Sequence, residues 1–319
     1  MKKTFCLFGL IVLTLLGACA PETPAASPTQ TLPPAVPTAT LPAPSATLPA
    51  PSATAPAQPL SLSEQALING EYTAPVSGRT VRLVNGRYEV GSGDTYLLLT
   101  LLPFLAYGDL NADGVEDAAV LLAENNGGSG TFVGVAAVLN RGGIAQQVGF
   151  APLVDDRPKV NALAIQNGRI VLDALIHGPN DSMVAPSLPV IQTYAVPPAG
   201  PLLVGMTSRI AGGQTRSIEI TTPAAGDKVA GPLRVTGSMP IAPFENTLAY
   251  RITDQSGAVL AQGPFMVQAN EPGGPATFDN TLDLPTLPSG TVFRVFLQEA
   301  DMSGTIAFIS LASVELVAK

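Results

Sequence analysis

The sequence predicts a mainly β protein: an antiparallel, β-rich α+β domain followed by a second domain of two packed sheets. Three observations predict it. Glycine and proline number 31 each in 319 residues, too many for helices and ordinary for strands joined by tight turns. Apolar runs are short and often alternate with polar residues, as in Leu248, Tyr250, Ile252 and again in Phe293, Val295, Leu297. Asn-Gly pairs at Asn85-Gly86 and Asn167-Gly168 each sit between two such runs, which is the signal of a two-residue hairpin turn.

Charge excludes one class of partner. Sixteen Lys and Arg face 24 Asp and Glu, a net charge of −8. No basic stripe runs through the chain beyond its first residues, so no nucleic-acid partner is expected. The same balance argues against adsorption to anionic lipid through a basic face.

The N-terminus reads as an export signal. Lys2 and Lys3 precede an apolar run from Phe5 to Leu16, too short to span a bilayer comfortably. Leu16-Gly17-Ala18-Cys19 then resembles the lipobox of bacterial lipoproteins. The resemblance implies a signal peptide over residues 1–18, diacylation of Cys19 and a lipid-anchored protein of the cell envelope, facing outside the cytoplasm. Cys6 lies in the removed segment, so the mature domains hold no thiol and no disulfide. Without Lys2 and Lys3, 14 basic residues face 24 acidic ones, and the mature charge is near −10.

Residues 19–60 form a stalk. Twelve prolines alternate with Thr, Ala and Ser, Glu22 is the only charge, and TLPAPSA occurs twice in tandem from Thr40 to Ala53. Such a segment buries too little apolar surface to offset its ordering entropy and reads as a disordered spacer.

Residues 61–204 read as the β-rich domain. Ser61 to Leu67 begins like a short capped helix. Apolar runs then follow at Thr80–Leu83, Tyr88–Val90, Tyr96–Leu105, Ala118–Leu122, Thr131–Leu139, Val160–Ile165, Ile170–Leu175 and Val190–Val196. The chemically richest stretch is the loop from Gly108 to Asp117. Asp109, Asn111, Asp113 and Asp117 place oxygen side chains at positions 1, 3, 5 and 9, with Gly114 at 6 and the Val115 carbonyl at 7. A tight loop with those spacings can wrap one hard cation, so a structural Ca²⁺ site is expected there. Position 12 is Val120, not the bidentate Glu of an EF-hand, and the flanks read as strands. The loop therefore resembles the β-loop-β calcium sites of integrin-type propeller repeats, in a single copy. The competing reading is a polar turn whose Asx side chains bond nearby amides.

Two other segments carry candidates. Asn125-Asn126-Gly127-Gly128-Ser129-Gly130 lies between strands and lacks the lysine of a phosphate-binding loop. His177, the only histidine, lies four residues before Asp181. Asn125, Ser129, His177 and Asp181 are taken as a candidate ligand surface. As a whole the region resembles an uncharacterised domain of bacterial surface lipoproteins, on GDLNADGVEDAAVLLAENNGGSG, AAVLN and IQNGRIVLDALIHGPND. That resemblance implies no activity.

Residues 205–216 are Gly-, Ser- and Thr-rich and read as a link. Residues 217–319 then show seven strands at sandwich spacing: Ser217–Thr221, Leu233–Thr236, Thr247–Thr253, Ala258–Val267, Ala276–Leu282, Val292–Gln298 and Ala307–Leu316. The length and strand number suggest an immunoglobulin-like β-sandwich without the intersheet disulfide or buried Trp. The order Ile218-Glu219-Ile220, Gly231 to Gly237, Gly257 to Pro264 and Val292 to Phe296 is similar to the immunoglobulin-like domain of bacterial spore germination and surface proteins. That resemblance implies an adhesive or spacer module.

The expected function is non-enzymatic: a binding or display module held off the membrane, with a cell-wall polymer or another surface protein as partner. The alternative is an envelope hydrolase acting on wall polymer or glycan through paired carboxylates, with Asp155, Asp156, Asp173 and Asp181 as its acids.

Overall fold

The computed structural model describes residues 60–210, 212–304 and 306–319; the expected signal peptide, Cys19 and stalk lie outside the described residues. The chain enters through α1 (Glu64–Ile68), started by Ser63, whose Oγ accepts the Ala66 N–H at 3.1 Å. A hairpin follows, β1 (Glu71–Thr73) with β2 (Thr80–Arg82). Its turn is tied down by buried Glu124, whose carboxylate accepts the Val76 and Ser77 N–H groups at 2.6 and 2.9 Å. These elements bring Leu62, Leu67, Tyr72, Val81 and Leu83 into one apolar layer.

That layer covers one face of a six-stranded sheet. Its strands are β3 (Arg87–Val90), β4 (Leu97–Gly108), β5 (Asp117–Asn125), β6 (Phe132–Arg141), β7 (Ile144–Gln147) and β8 (Leu153–Asp156), in the order β3-β4-β5-β6-β7 with β8 paired to β6. Central β5 explains its own composition. Ala118, Val120 and Leu122 face the helix and hairpin, while Ala119, Leu121 and Ala123 face the next sheet. A strand covered on both sides reads as a continuous apolar run. The Asn85-Gly86 turn has both central residues at positive φ, 51° and 79°, as a type I′ turn requires, and Val84 bridges Arg87. The strands it joins nevertheless part, since β2 pairs with β1 and β3 with β4.

A meander lies across the other face: β9 (Lys159–Gln166), β10 (Arg169–Ile176), β11 (Leu188–Ala195) and β12 (Leu202–Arg209). The β9–β10 turn is Asn167-Gly168, at φ 50° and 71°. The segment expected as a link is partly strand. Strand β12 runs through Gly205 to Arg209, and β13 (Thr215–Arg216) pairs back onto it. The physical reason is alternation hidden by small polar residues: Val204, Met206 and Ser208 are buried while their neighbours are more exposed.

The C-terminal half contains β14 (Glu219–Thr222), β15 (Lys228–Val229), β16 (Leu233–Met239), β17 (Thr247–Asp254), β18 (Val259–Met266), β19 (Gln268–Ala269), β20 (Ala276–Leu282), β21 (Val292–Ala300) and β22 (Phe308–Ala318). One sheet has the order β14-β16-β20-β19 and the facing strands run β18-β17-β21-β22. Between them lie Val235, Leu248, Ile252, Val295, Leu297 and Leu316, with Phe265 and Phe278 edge to face at 5.2 Å. Each of the seven strands expected from the sequence has its counterpart here.

The halves share a sheet. Strand β22 also pairs with β12, Leu311 opposite Met206, giving the continuous order β18-β17-β21-β22-β12-β11-β10-β9. Met206, Phe296 and Leu311 join Ile176, Leu188 and Val190 in an apolar cluster at this seam. Burying apolar groups on both sides of a seam favours a fixed joint over a hinge. No helix among the described residues is long and apolar enough to cross a membrane.

Candidate functional site

The acidic loop connects β4 to β5 and is built from its own amides. Asp109 accepts the Asn111 N–H at 3.2 Å and the Gly114 N–H at 2.9 Å. Asn111 Oδ1 accepts the Asp113 N–H at 3.0 Å, and Asp113 accepts the Val115 N–H at 2.8 Å. Acceptance two residues ahead is the Asx turn, and oxygen side chains at every second position repeat it. Ala112 and Gly114, at φ 61° and 78°, bend the chain so that the bonds close. The Gly114 amide, ahead of the other loop amides, holds the Asp109 carboxyl below its ordinary range.

Asp117 is different. It is fully buried, with one carboxylate oxygen accepting the Leu110 N–H at 3.0 Å and the other the Asn140 N–H at 2.9 Å. Burial pushes its carboxyl up, the two amides oppose that, and Asp113 and Asp109 add to it. The five residues expected around a cation are thus divided. Asn111 and Asp113 are exposed, Asp109 and Val115 are half-buried, and Asp117 serves the protein interior, pinning the loop to β6. Among the described residues no group of three or more His, Cys, Asp or Glu is arranged to hold a metal.

The second candidate surface lies around the β5–β6 turn, β8 and the segment after β10. Asn125 closes its own turn, donating from Nδ2 to the Gly128 and Gly130 carbonyls and accepting the Gly127 N–H. Ser129 is exposed. Asp156 links this turn to β8: it accepts the Thr131 N–H at 2.7 Å and pairs with Arg157, which reaches on to the Met183 carbonyl. Burial works to raise the Asp156 carboxyl, but Arg157 and the Thr131 amide bring it below its ordinary range. His177 is buried; its Nδ1 lies 2.8 Å from an Asp155 oxygen that also accepts the His177 N–H at 2.6 Å. Its Nε2 has no hydrogen-bond partner among the described residues. Asp181 accepts the Ser187 hydroxyl and the Gly178 and Ser187 N–H groups, which hold its carboxyl low.

Each acid named for a hydrolase therefore has a fixed occupation. Asp155 orients His177, Asp156 binds Arg157 and Thr131, Asp181 closes the 178–187 loop, and Asp173 takes the Asn161 amide at 2.9 Å. Sequence reasoning passed over Asp155 as the partner of His177. It also passed over Arg169, Arg251 and Arg294, which line a cleft of about 880 Å³ between the two halves. The only available signal for these was alternation: Arg251 and Arg294 stand between apolar neighbours and so point away from the sandwich core.

The fold defines a β protein whose C-terminal immunoglobulin-like sandwich is fused through one sheet to an N-terminal β-rich half. Residues 217–304 match the family model of the immunoglobulin-like domain of bacterial spore germination. No curated protein and no solved structure matches the chain.

Proposed function

We propose that this chain is a non-enzymatic, lipid-anchored protein of the cell surface, whose fused β halves bind or display in the cell envelope at the end of a Pro-rich stalk. The single observation that carries the reading is the family match over 217–304, which supports a non-catalytic module related to spore germination. Leu16 to Cys19 and the stalk supply the anchor and reach. The partner is a wall polymer or another surface protein, and no nucleic acid. The test is protease shaving of intact cells followed by binding of the released fragment to isolated cell wall. Release without lysis and retention by the wall are expected; protection of the chain in intact cells contradicts the proposal.

Calcium belongs to this proposal as a modest stabiliser. Asp109, Asn111 and Asp113 are drawn into one turn by the loop amides and by the bond from Asn111 Nδ2 to Asp113 at 2.9 Å, so a calcium ion would add to a loop that is already closed. A dissociation constant 10- to 100-fold below ambient calcium gives about 1.4–2.7 kcal/mol. Melting in calcium and in chelator is expected to differ by a few degrees, with the difference lost in Asp113→Ala. Identical curves contradict the site.

A further inference from the structure

We propose that the cleft between the C-terminal sandwich and the β9–β10 and β11–β12 turns is a binding site for an oxyanion, a phosphate or carboxylate group carried by an acidic ligand. The cleft occupies about 880 Å³, within the range of small-ligand sites. One wall is the outer face of the C-terminal sheet, where register sets the chemistry. Arg251 stands opposite Phe296, and in the next row Thr253, Arg294 and Glu315 stand side by side. Arg169, the first residue of β10, lines the facing wall.

Two of these three arginines, Arg169 and Arg251, lack an ion-pair partner among the described residues, and the third is paired with Glu315. Arg251 lies over the Phe296 ring, its Cζ 5.0 Å from the centroid, and its Nε is buried without a hydrogen-bond partner among the described residues. Arg294 is 7% exposed and donates to Ser313 Oγ and to Glu315, whose side chain is half exposed. Burial lowers the Arg294 pKa, Glu315 opposes that, and Arg169 lowers it further, which places the Arg169 charge within reach of Arg294. Asp254 at the rim spends one oxygen on its own turn, accepting the Ser256 and Ala258 N–H groups. A protein of net charge −8 thus gathers three guanidiniums around one cavity against two carboxylates, Asp254 and Glu315. Like charges held together in a partly desolvated site are costly without a counter-charge. An oxyanion supplies that counter-charge, and guanidinium holds a planar or tetrahedral one through paired N–H donors. The buried Phe296 ring carries Arg251 on its face, and both residues line the cavity.

The inference concerns the folded halves alone and stands whether or not the chain is lipid-anchored. It is tested on the detergent-solubilised full-length chain, by calorimetric titration at low ionic strength with tripolyphosphate in one arm and trigalacturonate in the other. The variants are R169Q/R251Q, which removes the two unpaired charges, and R234Q, which removes an exposed arginine paired with Asp279 on the opposite sheet. Binding of either probe is expected, weakened at least tenfold in R169Q/R251Q and by added salt, and unchanged in R234Q. Binding in the first arm only assigns a phosphate ligand, in the second only a uronate, and in both a general oxyanion site. Binding of neither probe by the wild-type chain, or equal binding by R169Q/R251Q, overturns the proposal. Circular dichroism of each variant separates loss of the site from loss of the fold.

Discussion

Asp117→Ala removes the one acidic-loop side chain that the interior depends on. Its two oxygens accept the N–H groups of Leu110 and Asn140, residues that are 6% and 4% exposed, so water cannot replace them. Each orphaned buried donor costs about 1–3 kcal/mol, and the pair about 2–6 kcal/mol. For a folded unit of this size that lowers Tm by roughly 5–20 °C. Asp117→Asn keeps one acceptor and turns an NH₂ toward the other amide, so its cost is about half. Charge modifies the comparison. Burial holds the folded carboxyl above its unfolded value of about 3.9, so the stability tied to this group is present below that pH and lost as pH rises through the folded value. Asp117→Asn, neutral throughout, is therefore milder at neutral pH than the lost acceptor alone implies. Asp113→Ala, at the exposed end of the same loop, stays within about 0.5 kcal/mol. The assay is urea or thermal unfolding in chelator, so that no ion contributes. Equal destabilisation by Asp117→Ala and Asp113→Ala would refute the division of the loop into an inner anchor and an outer turn.

Three further outcomes follow from the same geometry. Phe296→Ala empties the seam between the halves, where Phe296 is 1% exposed, and is expected to cost about 3–5 kcal/mol, read by denaturant midpoint. Arg216→Ala leaves Glu299 buried and unpaired except for Ser310, a loss of about 3–5 kcal/mol that shrinks in Arg216→Ala/Glu299→Leu. Asp181, held low chiefly by the Ser187 hydroxyl and the Gly178 amide, contributes stability that is present above its unfolded pKa and lost as pH falls through the folded one. The Gly178 and Ser187 amides should therefore lose exchange protection below about pH 4.

Strands that bury a single face were legible as alternation, which is why β17 and the β9–β10 hairpin fall where the residues place them, and Phe293, Val295 and Leu297 marked β21 although it is buried on both faces. The seam was not legible. Gly205, Thr207 and Ser208 hide the alternation of β12, and pairing of Leu311 with Met206 depends on a partner about a hundred residues away. The Asn85-Gly86 turn formed, yet its strands joined different sheets, because local turn chemistry sets a reversal and not the neighbours beyond it. At the acidic loop, spacing gave the shape, whereas burial divided the roles: nothing in DLNADGVED marks its last aspartate as the interior one. The arginine cleft needed three elements far apart in sequence to meet.

The anchor is the claim on which location, reach and partner class all rest. Its direct test is incorporation of an alkyne-tagged palmitate into the full-length chain in a bacterial host, with membrane fractionation, beside Cys19→Ser. The account predicts label and membrane retention in the wild type and neither in Cys19→Ser. An unlabelled wild-type chain in the soluble fraction, or equal membrane retention of the two, would contradict it.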